Sequence, residues 1–240
     1  LMEAKAYNPP YTAVFTFVLN TLPIYILNGQ YSAAQQAIKK CLALVPVDSH
    51  NWMITQQYQV LLNFHQEEYQ ANLQLIRKIK NRHSKSIRNH SEIWRIYEAY
   101  ASFMTGQPIR LGKFLNELPV FSKDKRGMNI NILILQILFF LKDGQYGKIL
   151  DRMDALERYT YRYLKKDKSK TFRSNCFLFM LLAFGKVKGD FRRPVLERKA
   201  RIHLERLQSL PLAQSGQDFE LEIIPYERLW NVILGMVGSE

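Results

Sequence analysis

Apolar residues recur along most of this chain at every third or fourth position, which is the spacing of an amphipathic α-helix. Short polar breaks divide the apolar stretches into segments of helix length from residue 11 to residue 209. The alternation of single apolar and polar residues that is typical of a strand occurs clearly only in residues 219–223. The pattern therefore predicts an all-α chain with one short extended segment near its C-terminal end.

The polar breaks carry a recurring signal, in which a glycine or glutamate is followed two residues later by an aromatic residue or proline. The signal begins at Gly29, Glu67, Gly106, Gly144 and Gly189, at steps of 38, 39, 38 and 45 residues. Glycine tolerates the positive φ that ends a helix, and the aromatic residue can pack at the start of the next helix. We therefore expect antiparallel helix pairs, with a less sharp or differently built turn at Glu67.

The predicted helices alternate as first and second members of five pairs. The first helices span residues 11–27, 51–64, 91–104, 128–141 and 171–186. The second helices span residues 31–45, 69–82, 109–118, 146–166 and 191–209. Asp48 or Ser49 is expected to be the N-cap of the first helix of the second pair, because a short side-chain oxygen can accept hydrogen bonds from the amides of the first turn. Pro225 is expected to start a closing helix, Tyr226–Met236.

The first helices of the fourth and fifth pairs are apolar nearly all round. Either the C-terminal tail covers them, or they expose a patch for a partner. We favour the tail, because it supplies matching apolar side chains at Phe219, Leu221, Ile223, Leu229 and Trp230.

Residues 29–46, GQYSAAQQAIKKCLALVP, resemble the second half of a tetratricopeptide repeat. Gly29 and Tyr31 match the turn, Ala34 matches the small residue at the helix crossing, and Pro46 matches the terminal proline. The later copies place other residues at the position of Ala34, and the period exceeds the family's value of about 34 residues. The replacing residues are Asn72, Leu111, Ile149 and Pro194. The tail around residues 219–230 resembles bacterial helical-repeat proteins.

This resemblance implies a right-handed α-α superhelix of about five helix hairpins over residues 1–210. Residues 211–240 would add an extended segment and a capping helix packed on the last repeat. The family binds a protein segment in a concave groove lined by the first helices. In this chain the polar stripe of those helices gives the candidate groove residues, although the same side chains could simply be solvated: Gln56, Gln59, Asn63, Glu92, Arg95 and Ser102.

The chain is basic, with a formal net charge of +13 and a pI near 9.7, which favours acidic partners. Bases cluster in residues 77–88, 158–173 and 186–206. Such clusters could follow a phosphate backbone, so a nucleic-acid-binding or regulatory module is the alternative function. A solvated, solubilising face would carry the same residues. The cluster residues of this alternative are Arg77, Lys78, Lys80, Arg82, Lys165, Lys166, Lys168 and Lys170.

Signatures of catalysis are absent from the sequence, which contains no glycine-rich phosphate loop, nucleophile elbow or HExxH motif. We therefore expect a binding protein without a cofactor or metal, whose partner is most readily a protein or peptide. Cys41 and Cys176 are isolated, which favours a reducing cytoplasm. No segment has the layout of a secretory signal, and the longest apolar runs are too short to span a bilayer.

Overall fold

The structure is a computed structural model that describes residues 11–82, 91–108, 112, 128–160, 172–187, 189–214 and 222–238. The described residues are helical and contain no strand, so the all-α prediction is confirmed for them. A 3-10 turn, Leu212–Gln214, lies between the last two helices. The helices are α1 (Tyr11–Leu27), α2 (Tyr31–Leu44), α3 (His50–His65), α4 (Tyr69–Lys80), α5 (Ser91–Thr105), α6 (Met128–Lys142), α7 (Tyr146–Tyr159), α8 (Phe172–Leu181), α9 (Ala183–Lys186), α10 (Arg193–Ser209) and α11 (Tyr226–Met236).

The helix ends agree closely with the predicted ends. The first helices begin and end within one residue of the prediction, except that the fifth is divided into α8 and α9 at Leu182. The closing helix spans the predicted residues. The predicted helix at residues 109–118, the continuation of α7 to residue 166 and most of the extended segment lie outside the described residues.

All five predicted turns have the left-handed backbone that the glycine pattern indicates. The φ angles are 69° at Gly29, 69° at Gly106, 65° at Gly144 and 88° at Gly189. Glu67 has the same conformation, with φ of 67°. The expectation of a less sharp or differently built turn at Glu67 is therefore wrong.

Hydrogen bonds show that the turn at Glu67 is built like the glycine turns. In the first pair the N–H of Gln30 donates to the carbonyl of Tyr25 at 2.8 Å, the long bond of a Schellman motif. In the second pair the N–H of Glu68 donates to the carbonyl of Asn63, also at 2.8 Å. The side chain at position 67 therefore does not change the backbone path.

Consecutive helices pack on one another, an arrangement compatible with a helical repeat. Each helix from α1 to α6 contacts the next helix in the chain, and α8 and α9 both pack on α10. At the crossing of α3 and α4, Asn72 replaces the small residue of the first pair. It is buried, and its side-chain amide donates to the carbonyl of Val60 at 3.1 Å. The opposing backbone therefore satisfies the amide nitrogen of this polar residue, while its buried Oδ1 has no hydrogen-bond partner among the described residues.

The N-terminal end of α3 is capped by Ser49. The N–H of Trp52 donates to Ser49 Oγ at 3.2 Å, so this candidate and not Asp48 is the N-cap. Asp48 instead takes a positive φ of 63° in the turn before the helix. Asn and Asp are among the few non-glycine residues that adopt this region readily.

The closing helix α11 lies against the interior helices and not only at the end of the stack. It contacts α6, α8 and α10, and its Leu229 and Trp230 are buried. These contacts confirm, for the closing helix, the prediction that the tail covers the first helices of the fourth and fifth pairs, while Phe219 and Leu221 lie outside the described residues. The 3-10 turn also contacts α1, so the tail returns to the start of the stack. The division of the chain into a repeat array, residues 1–210, and a C-terminal tail, residues 211–240, stays a prediction.

Candidate functional site

The six predicted groove residues differ in how much surface they offer to a partner. Gln56 is 8% exposed and Ser102 is 3% exposed, so these two contribute almost nothing to a binding surface. Glu92 and Arg95 are exposed on α5, and the other two, Gln59 and Asn63, are half-buried on α3. Whether the remaining four residues bind a partner stays a prediction.

A row of side-chain amides joins α2 to α3. Gln35 Nε2 donates to Gln59 Oε1 at 3.0 Å, and Gln59 Nε2 donates back to Gln35 Oε1 at 3.1 Å. Gln59 Nε2 also donates to Asn63 Oδ1 at 2.8 Å. Gln35 belongs to a second helix, so the predicted groove residues, which come only from first helices, do not include it. These half-buried amides carry both donors and acceptors and can match a peptide backbone.

Two members of the basic cluster on α4, Arg77 and Lys80, are bonded to the neighbouring pair. Lys80 Nζ lies 2.6 Å from the carboxylate of Glu98 on α5. Arg77 Nη2 donates to Gln107 Oε1 at 2.9 Å. These contacts hold α4 against α5 and its following turn, so the two bases have a structural role.

Arg82 lies close to both an acid and an aromatic ring. Its Nη1 is 3.2 Å from Asp48 Oδ1, and its guanidinium lies 5.3 Å from the ring centre of Trp52. Lys78 is exposed. Because acidic partners compensate Lys80 and Arg82, the local field of this cluster is weaker than the sequence suggests. Lys165, Lys166, Lys168 and Lys170 lie outside the described residues.

Arg173, counted with a basic cluster in the sequence, is fully buried at the start of α8. Its Nε and Nη2 donate to the carboxylate of Glu222 at 2.9 and 2.7 Å. Nη2 also donates to Glu227 at 2.7 Å, and Nη1 donates to the carbonyls of Leu207 and Leu210 at 3.1 and 2.6 Å. The interpretation of Arg173 as part of a solvated or phosphate-binding cluster is therefore wrong.

The electrostatics of this buried network follow from its desolvation. Burial raises the pKa of the Glu222 carboxyl, and the guanidinium of Arg173 and the N–H of Tyr226, which donates at 2.8 Å, oppose that rise. Burial also acts to lower the pKa of Arg173, but Glu222 and Glu227 outweigh it and raise the pKa. A charged guanidinium fixed by two acids and two carbonyls joins α8, α10 and α11.

A second long-range contact joins α11 to the turn after α3. Arg228 Nη1 donates to the carbonyl of Phe64 at 3.0 Å, and Nη2 donates to the carbonyl of His65 at 3.5 Å. Nη2 also lies 3.0 Å from Glu67 Oε1. The arginine thus satisfies carbonyls at a helix C-terminal end, where positive charge is favourable. Burial, with a smaller effect of Arg228, lowers the pKa of His65 to about 4.

The described residues include His, Cys, Asp and Glu side chains, the types that most often carry catalysis or bind metals. Among them, no group of three or more His, Cys, Asp or Glu side chains could hold a metal ion. Cys41 and Cys176 are buried and form no disulfide bond, and burial raises the pKa of the Cys41 thiol, which disfavours the reactive thiolate. Within the same part of the chain no helix is long and apolar enough to cross a membrane.

The arrangement therefore presents polar side chains at the surface of a packed interior. The buried Arg173 network and the Arg228 contact fix the tail, while the amide row and the exposed residues of α5 remain at the surface. Comparison of the chain with protein-family models, with curated proteins and with solved structures found no match in any of the three.

Proposed function

We propose that the protein is a non-catalytic interaction scaffold of the tetratricopeptide-like kind, which holds a protein segment along the first helices of its pairs. Two observations support an arrangement of stacked hairpins, and its right-handed superhelical form is part of the proposal. Consecutive helices pack on each other, and turns of the same left-handed geometry recur at nearly regular steps. Stacked hairpins of this type leave an extended surface that is suited to a partner chain.

The observation that carries the proposal is the half-buried amide row of Gln35, Gln59 and Asn63. A peptide backbone has the same donors and acceptors as these side chains, and can replace their mutual bonds without leaving any unsatisfied. Exposed Glu92 and Arg95 on α5 would add charge selectivity. α3 and α5 approach each other at the C-terminal end of α3, where the ring centres of Phe64 and Tyr97 are 6.2 Å apart.

The seating of α11 supports a helical form for the partner segment. α11 contacts the first helices α6 and α8, its Leu229 and Trp230 are buried, and its Tyr226 stacks on Phe177 of α8 with ring centres 4.4 Å apart. The first helices of this fold therefore accept an amphipathic helix as a neighbour. The tail packs mainly on the later pairs and meets α3 at its C-terminal end through Arg228, so a partner would use the remaining surface of α3 together with α5.

The test is site-specific photo-crosslinking from position 95 in cells, with position 158 as the control. Arg158 is an exposed arginine on α7, far along the chain from the proposed surface. We expect a discrete protein product from position 95 and not from position 158, and mass spectrometry would identify the joined segment. A synthetic copy of that segment should then bind Arg95→Glu about tenfold more weakly, while Arg158→Glu changes affinity less than twofold.

Circular dichroism should give the same helicity for both variants. Equal crosslinking from the two positions, or unchanged affinity of Arg95→Glu, would contradict the proposal.

Nucleic-acid binding is the second candidate function. The cluster on α4 gives it little support, because Lys80 and Arg82 are paired with acids. A different basic surface, on α10, supports it better.

A further inference from the structure

The charged residues of α10 fall into two rows with different surroundings. One row contains both glutamates of the helix. Arg193 pairs with Glu197 at 2.8 Å, and Arg201 pairs with Glu205 at 3.3 Å, each across one helical turn. Both glutamates of α10 therefore form ion pairs within their own row, and they do not neutralise bases elsewhere on the helix.

The second row carries bases and no acid. Lys199, His203 and Arg206 share one face of α10, because residues three and four apart lie above one another on a helix. Lys186 comes from α9, which packs on α10. Lys186, Lys199 and Arg206 are exposed, and none of them forms an ion pair within the part of the chain that the structure describes.

An aromatic pair lies within this positive surface. The ring of Phe179 on α8 stacks on His203, with centres 5.0 Å apart and planes 17° apart. Phe179 is 37% exposed, and the neighbouring Ile202 is 64% exposed. Burial lowers the pKa of His203, and the positive charges of Lys186 and Arg206 lower it further.

We propose that this surface binds single-stranded nucleic acid. We call it the α10 patch, and it consists of Phe179, Lys186, Lys199, Ile202, His203 and Arg206. The three unpaired bases would contact phosphates and release counterions, and a nucleobase would stack on the exposed side of Phe179. An unpaired strand fits better than a duplex, whose bases are already stacked on one another.

This binding activity does not depend on the proposed capture of a protein segment, because the two surfaces share no residue. An anionic membrane is the competing partner for a basic surface with apolar residues. The parallel ring stack favours the nucleobase, because a lipid surface gains nothing from a flat stacked pair, and only Phe179 and Ile202 could enter the bilayer.

The experiment is fluorescence anisotropy of the full chain with a labelled 20-nucleotide mixed-sequence RNA, the matching DNA strand, and an abasic strand of the same length. Liposome flotation with phosphatidylserine vesicles is the parallel measurement. Three phosphate contacts to a single strand predict a slope near −2 for log affinity against log salt. Affinity for RNA or DNA should therefore fall roughly twentyfold between 50 and 200 mM salt.

Phe179→Ala should weaken binding of the base-containing strands about five- to a hundredfold, because one base loses its stacking partner. It should leave binding of the abasic strand unchanged. Arg206→Gln should reduce the salt slope by about 0.7, whereas Arg201→Gln, from the paired row of the same helix, should leave the slope as it is. Thermal unfolding should confirm that all three variants remain folded.

Several outcomes would overturn the proposal. The proposal fails if neither the RNA nor the DNA strand binds at 50 mM salt, whether or not the vesicles bind. Equal affinity for abasic and base-containing strands, together with an unchanged affinity of Phe179→Ala, would reduce the interaction to general electrostatic attraction. Any of these results would leave crosslinking from position 95 unaffected, so failure of the α10 patch is distinguishable from failure of the protein-binding proposal.

Discussion

Glu67 has a backbone conformation that the other four turns give to glycine. A side chain in the left-handed region costs about 1–2 kcal/mol, because its Cβ approaches the following carbonyl. The ion pair with Arg228 offsets part of that cost, but a partly exposed pair contributes only about 0–1 kcal/mol. The residue therefore combines an unfavourable backbone with a useful contact to α11.

Substitution at position 67 separates these two effects. Glu67→Gln removes the charge and keeps the strained backbone, whereas Glu67→Gly removes both. We expect Glu67→Gly to have a free energy of unfolding about 1 kcal/mol above that of Glu67→Gln, measured by urea denaturation. Gly144→Ala is the matched control, because apart from its own chain neighbours no atom lies within 4 Å of the added Cβ, so its expected loss of about 1 kcal/mol is due to the backbone alone. Equal stability of the two variants at position 67 would mean that the turn is unstrained.

At the scale of elements, helix positions could be predicted because their signals are local. The turn glycines, the cap at Ser49 and the proline before α11 all act on residues within one helical turn. The same locality explains what the sequence could not reveal. The partner of Glu67 lies on α11, and the main acidic partner of Arg173 is 49 residues away.

The candidate site was predictable only in part for a related reason. A polar stripe identifies the helix face but not the depth of each side chain, so exposed Arg95 and buried Ser102 look equivalent in sequence. A charge cluster likewise does not distinguish Arg173, which joins three helices, from a solvated base. Burial and pairing arise from tertiary packing, which hydrophobic periodicity does not encode.

Replacement of Arg173 tests its role in joining the last helices. Arg173→Met retains much of the side-chain volume but leaves Glu222 buried without its cation. We expect a loss of about 3–5 kcal/mol in the free energy of unfolding, measured by urea denaturation, because an uncompensated buried charge remains. Arg193→Met removes an exposed ion pair on α10 and should cost less than about 0.5 kcal/mol. Similar small effects of the two substitutions would show that the network contributes little to stability.

At the scale of the whole molecule, the tail changes how the stack should unfold. In an open array each pair contacts only its neighbours, so stability is close to a sum of local terms and the ends can unfold separately. Here Arg228 reaches the end of α3, which is 164 residues away at Phe64, and the 3-10 turn contacts α1. These contacts close the stack and should couple its early pairs to its last helix.

Native-state hydrogen exchange measures this coupling directly. We expect the most protected amides of α3 and α11 to open with the same free energy in the wild-type protein, because Arg228 makes them parts of one cooperative unit. Arg228→Met retains the bulk of the side chain and removes its bonds to Phe64, His65 and Glu67. Amides at the end of α3 should then exchange about thirtyfold faster, equivalent to about 2 kcal/mol, while the amides of α7 change little. Arg158→Met is the control and should alter neither region. Different opening free energies of α3 and α11 in the wild-type protein would mean that the pairs unfold independently, as in an open array.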